Sequence, residues 1–426
     1  MEKNTLAQKF KVIRGTKTGT QQRIIIGALF ILSAIFVHFV LASPLAPDVN
    51  TTFGTNINDR AIQIPDWVFN SKASLEIVAG ICLGLGLYEI IRGFKKATSI
   101  VIAIVGVLLV LGFLFWGAAG SSISFTGMLA LMVVRSVPIT IGALSGLITE
   151  RAGIVNIAIE GMMVASALTS AIAGSLFGIW WGVVAAIFTG AALAMVHAWL
   201  SIKYKVDQII SGTMINIFAT GITSYTYIKF LQSSTLNEPG FFKPFQIPLL
   251  YKIPVIGPIF FDHNLYVYIM YLLVIVLTIA LYKTKWGLRH RAVGEHPKAA
   301  DTLGINVFRT RYFACLLGGM VAGFAGSYFS LGSVGRFEQT MTAGRGFIAL
   351  AAMIFGNWTP VGSIGAGMLF GFSESLTTKL SLLHFPIPAE LLLMLPYIIT
   401  IVVLAGVVGR SRGPAASGTP YEKESL

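Results

Sequence analysis

The sequence predicts an all-α polytopic membrane protein, a bundle of about 10–12 helices. Three observations carry that reading. Hydrophobic residues make up 55% of the 426 positions and charged ones only 12%. Soluble domains carry about twice that charged fraction. Mean hydropathy is +0.77, and the apolar residues fall into runs long enough to cross roughly 30 Å of hydrocarbon. Most of the 31 Lys and Arg sit in short segments between those runs. That placement accounts for the net charge of +13 through the positive-inside rule, and argues against a nucleic-acid partner.

The runs predict spans at 24–42, 74–91, 97–118, 125–148, 154–176, 179–200, 208–230, 266–282, 311–331, 343–357, 361–380 and 388–409. The run at 343–357 is short and flanked by glycines, which marks a broken or re-entrant helix. Ahead of the first run lies a basic arm, 1–23, with Lys3, Lys9, Lys11, Arg14, Lys17 and Arg23. A second basic segment, 283–311, follows the span at 266–282. Placing both on one side of the membrane puts both termini in the cytoplasm. The chain then reads as arm 1–23, a transmembrane region 24–120 with an extended external loop at 43–73, a transmembrane domain 121–410, and a tail 411–426. The tail is poor in apolar residues and is expected to be disordered. The loop at 232–265, rich in Pro and aromatics, is expected to lie along the outer surface.

Within the second basic segment, the stretch 288–304 (LRHRAVGEHPKAADTLG) specifies a shape. Pro297 suits the first turn of a helix and Gly304 its stop. The short helix between them presents Ala299, Ala300 and Leu303 as a small apolar face, with Lys298 and Asp301 beside it. A helix of two turns is marginal alone and gains stability by docking into a groove on a partner. Arg291, Gly294 and Glu295 lead into it.

Inside the spans, ionisable groups are costly and usually face a bundle interior or a water-filled path. Arg135 lies three residues before Pro138. Asn156 and Glu160 share the run ERAGIVNIAIEG (150–161) with Arg151, which is too far from Glu160 to pair along one helix. Thr213 and Asn216, at i,i+3, are expected to share a helix face. Gly346 and Trp358 bracket the short run. Each residue reads either as lining a solute pathway or as bonding a neighbouring helix. The Gly319/Gly323 and Gly367/Gly371 pairs are assigned to helix packing.

No Walker A loop, HExxH motif or GxSxG elbow occurs, and the two cysteines, Cys82 and Cys315, lie in apolar runs. The chain is therefore expected to bind no cofactor or metal of its own and to catalyse no reaction. The same absence suits a subunit driven by another chain's ATPase, an ion-driven carrier, or a channel.

The run RAVGEHPKAADTLGINV (291–307) resembles the cytoplasmic coupling loop of ABC-transporter permeases of the nucleoside and simple-sugar uptake group. These are relatives of the ribose and branched-chain amino acid permeases. GALSGLITERAGIVNIAIEGMM (142–163), DQIISGTMINIFATGIT (207–223) and TAGRGFIALAAMIFGNWTPVGS (342–363) are similar to the same group, so the resemblance spans about 125–410. It implies a permease subunit for a nucleoside or, second, a simple sugar. It also implies ATP-binding subunits that carry ATP and Mg, a second permease chain and an extracellular solute-binding lipoprotein. In that family the loop holds the coupling helix, here the stretch with Arg291, Gly294, Glu295, Pro297, Ala299, Ala300, Asp301 and Gly304.

Overall fold

The computed structural model describes residues 20–56, 64–382, 394 and 412–423. Eight helices among them are long and apolar enough to cross a membrane. The described residues divide into two compact units. The first comprises those up to Thr126 and those within 377–409, the second Gly127–Leu376 with 412–423.

In the first unit, α1 (Thr20–Ala42), α2 (Ser71–Ile91) and α3 (Thr98–Gly117) pack through Phe30, Val37, Leu75, Val78 and Val105. Their outward faces carry Ile25, Leu32, Ile77 and Ile100, a surface suited to acyl chains. Arg23 donates to the carbonyls of Glu89 and Ile90 at the end of α2, where the last helical carbonyls lack intrahelical donors. Two strands from the loop at 43–73, β1 (Asn50–Gly54) and β2 (Trp67–Asn70), join β3 (Ser122–Ser124), which follows α3, in a three-stranded sheet of order β2-β1-β3. β1 pairs antiparallel with β2, Asn50 opposite Asn70, and parallel with β3, Thr52 opposite Ser122.

The second unit begins in α4 (Phe125–Glu150), which contains Pro138, and continues through α5 (Ile159–Phe177), α6 (Ile179–Ala198, extended as a π-helix to Lys203) and α7 (Gln208–Thr226). The loop after α7 holds a short β4–β5 pair (Phe245–Gln246 with Asp262–His263) and α8 (Ile256–Phe260). Then come α9 (Leu265–Lys283), α10 (Lys285–Glu295), α11 (Pro297–Thr302), α12 (Val307–Ser327, with a π-helical continuation Tyr328–Val334), α13 (Arg345–Phe355) and α14 (Pro360–Leu382).

Eleven of the twelve expected runs coincide with these helices; the one at 388–409, Met394 apart, lies outside the described residues. α13 has eleven residues, which at 1.5 Å each reach about 16 Å, half of the roughly 30 Å core. It is a short helix between turns, as its flanking glycines suggested. α5 is the centre of the unit. It is buried along almost its whole length and packs on α6, α7, α12 and α13.

Small residues bring these backbones together. A Cβ on Gly190 of α6 would lie 2.6 Å from the Gly323 nitrogen of α12, and one on Gly371 of α14 would lie 2.8 Å from the Ser136 nitrogen of α4. Both expected glycine pairs thus sit in packing seams, where the missing side chain permits close approach.

Candidate functional site: a clamped short helix joined to a second short helix

α4 ends at Glu150 and α5 starts at Ile159, so the ERAGIVNIAIEG run is a break between two helices. The two ends of this break hold the two ends of α13. At its start, Glu160 is buried and its carboxylate is fully engaged. Oε1 accepts from Thr342 Oγ1 (2.6 Å) and the Gly344 amide (2.9 Å), and Oε2 accepts from the Gly346 amide (2.6 Å). A carboxylate on the free amides of a helix N-terminus satisfies orphan donors and meets the positive end of the helix dipole. Gly346 is required for the approach, since a Cβ there would lie 2.5 Å from Glu160 Cα.

At the other end, the turn after α13 places Asn357 and Trp358 in the left-handed region (φ 52° and 49°), which costs a non-glycine residue about 1–2 kcal/mol. The end of α4 holds that turn. The Trp358 indole donates to Glu150 Oε2 (2.5 Å), and Arg151 donates through Nε (2.9 Å) and Nη2 (2.7 Å) to the Trp358 carbonyl.

Asn216 of α7 pins the break itself. Its Oδ1 accepts from the Gly161 amide (2.7 Å) and its Nδ2 donates to the Ile157 carbonyl (2.9 Å). Buried His197 adds a bond to the Val155 carbonyl (2.9 Å), and Gln208 accepts from the Val155 amide (2.7 Å). Asn156 is buried beside Met162 Sδ.

Thr213 does not join this set. It is exposed and bonds back to the Ile209 carbonyl. The expected shared face with Asn216 is therefore corrected. The stripe of α7 that packs inward runs through Ser211, Gly212, Ile215, Asn216, Ala219 and Thr223, and Thr213 lies outside it.

Arg135 is half-buried in mid-α4, and its Nε has no acceptor among the described residues. Nearby, Tyr328 donates to the Val134 carbonyl (2.9 Å) and lies within electrostatic reach of Arg135, Arg345 and Glu374. Arg345 and Glu374 form an ion pair at 2.9 Å joining α13 to α14, and the Arg345 guanidinium sits 5.8 Å from the Phe329 ring centroid. The sequence pointed to Arg135, Glu160, Gly346 and Trp358 but passed over Glu150, Thr342 and Arg345. The one local signal for Arg345 is a cation placed between Gly344 and Gly346 in an apolar stretch.

The same Arg151 reaches the segment that follows α9. Its Nη1 lies 3.8 Å from Glu295 Oε1. Gly294 is buried against the Arg151 main chain; a Cβ there would lie 2.8 Å from the Arg151 carbonyl carbon. The stretch 285–302 folds as two helices joined at His296. Pro297 opens α11, and His296 Nδ1 accepts from the Ala299 amide (3.1 Å). Gly304 closes it at φ +79° and donates to the Asp301 carbonyl (2.9 Å).

The expected apolar face of α11 is split. Ala300 is buried against Val293, Val307 and Tyr421 of the same chain, whereas Ala299 and Leu303 are exposed and Lys298 stands beside them. Only one side of so short a helix can face outward, and Ala300 occupies the inner one. Arg291 also turns inward, its guanidinium 4.8 Å from the Tyr282 ring centroid.

His290 anchors α10 to the end of α4. It is buried, with its ring 4.8 Å from Trp286, and bonds the Ile148 carbonyl at 2.8 Å. Burial lowers its pKa to about 4; the bond to Ile148 opposes the shift and the Arg151 charge adds to it.

A polytopic helical protein, with a short apolar helix tied to a compact polar one, has the parts of a permease subunit. The profile of the family described as branched-chain amino acid transport system / permease component matches residues 128–404, and the chain belongs to that family. It is similar to the guanosine ABC transporter permease protein of Bacillus subtilis, at 40% identity over 305 residues, 68% of this chain and 95% of the relative. It is also similar to the nucleoside ABC transporter permease protein of Lactococcus lactis subsp. cremoris, at 36% over 304 residues, again 68% and 95%. A putative glucose ABC transporter permease protein of Haloferax volcanii is 34% identical over 322 residues, 70% of this chain and 98% of the relative. No solved structure matches the chain. The chain is thus a multi-pass membrane protein and a transport component.

Proposed function

We propose that this chain is the membrane-spanning subunit of an ABC importer that carries a nucleoside into the cell. It works with ATP-binding subunits that hold ATP and Mg on the cytoplasmic side, a second permease chain, and a solute-binding lipoprotein outside. The observation that carries the reading is the continuous chain of contacts from α11 through Glu295 and Arg151 to Trp358, and from the far end of α13 to Glu160. In this reading the motor subunit grips the exposed Ala299 and Leu303 side of α11. Its displacement on ATP binding moves α10 and the end of α4 together, because Gly294 and Arg151 are in backbone contact. The short helix α13, clamped at both ends by the α4–α5 break, follows as a rigid body. A packed two-state element of this kind converts a small shift into alternating access.

The basic segments 1–23 and 283–311 then face the cytoplasm. The Arg135, Arg345 and Glu374 group borders the solute path, since charges at membrane depth face a polar cavity rather than lipid. A nucleoside is favoured over a sugar by the two relatives whose names specify guanosine and nucleoside transport and which match at 36–40% identity.

The test is uptake of labelled nucleosides by cells carrying Ala299→Trp or Glu295→Arg. Both variants insert in the membrane at wild-type level and lose uptake. Normal uptake in both removes the docking role of α11.

A further inference from the structure

The tail expected to be disordered is ordered through 412–423 and follows the functional segment closely. The Arg412 amide donates to Asn357 Oδ1 (3.1 Å), and Gly413 lies against the Trp358 indole, where a Cβ would meet Cζ2 at 3.1 Å. The Ala415 amide donates to Glu295 Oε2 (3.2 Å) and the Ala416 amide to the Gly294 carbonyl (2.9 Å). The Gly418 amide donates to the Gly153 carbonyl (3.2 Å) in the α4–α5 break, and Arg311 Nη1 donates to the Thr419 carbonyl (3.1 Å). The Tyr421 ring is buried with Val293, Ala300 and Val307 and lies 5.3 Å from the Phe308 ring. Glu422 pairs with Lys205 just after α6. The low apolar content that suggested disorder misled because most of these bonds use the tail's backbone groups, which composition does not report.

We propose that residues 412–423 form a clasp that fixes α11 in the orientation presented to the motor subunit, with Tyr421 as its positioning residue. The inference rests on the importer reading. Twelve residues touch the α13–α14 turn, the α4–α5 break, the α10–α11 junction and the start of α12, which are the parts that must move together. Ala300 is the inner side of α11, and Tyr421 fills the space behind it. A helix of six residues has no rigid attitude of its own, so its direction is set by what packs beneath it. The tail also walls a groove of about 710 Å³ whose other side is Glu295–Lys298. Being continuous with the exposed side of α11, this groove widens the surface that receives the motor subunit.

The experiment uses the complete complex in proteoliposomes. It compares uptake per ATP hydrolysed in wild type, Tyr421→Ala, Tyr421→Phe and a chain ending at residue 411, each at equal permease content. Tyr421→Ala and the shortened chain lower uptake per ATP by about fivefold or more, the lower end of coupling between distant sites. Tyr421→Phe, which keeps the ring, restores it. An unchanged ratio in both Tyr421→Ala and the shortened chain overturns the clasp. Ala299→Trp serves as the control. If it abolishes uptake while the tail variants are normal, only the clasp fails. If it too is normal, the docking role of α11 fails with it, and uptake that needs no ATP would overturn the importer reading itself.

Discussion

Two short helices of the second unit, α13 and α11, are held in opposite ways. α13 is clamped by charge: the Glu160 carboxylate takes two backbone amides and a hydroxyl at one end, and Glu150 and Arg151 hold the turn at the other. α11 is held by a small apolar contact at Ala300 and by neighbouring segments, which are joined by backbone bonds to the tail, the part-buried Arg151–Glu295 pair and the exposed Lys205–Glu422 pair. The solvent explains the contrast. Glu160 and Glu150 are buried; where no water replaces a lost hydrogen bond a helix end left open is expensive, and a carboxylate there strengthens through low local dielectric. In water the same pairs are worth little, since exposed ion pairs contribute about 0–1 kcal/mol. On the proposed function, α13 would stay intact during the cycle while α11 is the part a motor subunit grips.

That contrast breaks most visibly at Glu160. Replacing it with Leu strands the amides of Gly344 and Gly346 in an apolar setting, and about 3–5 kcal/mol of stability is lost. Thermal denaturation of the detergent-solubilised protein measures this, and Glu160→Gln retains part of it. A Leu variant with wild-type melting would show that α13 is not clamped there. Next is His290, whose folded pKa lies below its ordinary value. The unfolded chain takes up the proton first, so its stability contribution is complete above about pH 6.5. That contribution is lost as pH falls toward 4, roughly 3 kcal/mol in all. Melting curves between pH 7 and 4 show the loss, and His290→Gln flattens it.

Gly294→Val forces α10 off the Arg151 backbone, a small-to-large change that costs typically 1–3 kcal/mol. Uptake is lost while membrane insertion is kept, as a radiolabelled uptake assay with a membrane blot would show. The smallest effect is at Thr213, exposed and outside the packed stripe. Thr213→Ala changes stability by less than about 0.5 kcal/mol and leaves uptake normal. A large loss there would mean that the outer face of α7 meets a partner chain.

The legible and illegible parts of the sequence divide along the same line. Helix positions followed from runs of apolar residues, and α11 followed from Pro297 and Gly304, because these are local signals. The broken helix at α13 was visible in its length and its glycines. The role of Glu160 was not, since its partners lie 182–186 residues away and spacing along one helix says nothing of them. Asn216 and Thr213 looked alike at i,i+3, and only the packing of α5 on one side of α7 separated them. Ala300 and Ala299 are adjacent and identical in chemistry, and the inner one was identified by the tail folding beneath it. The tail itself resembled a disordered segment because backbone bonds leave no mark on composition.

The central claim is that α11 is a handle worked by a separate ATPase. The most direct measurement is solute accumulation in proteoliposomes containing this permease, with its partner permease, in the presence and absence of the ATP-binding subunit. The account predicts concentrative nucleoside uptake only when that subunit and ATP are both supplied, and none for Ala299→Trp under the same conditions. Accumulation driven by an ion gradient in the permease alone would contradict it.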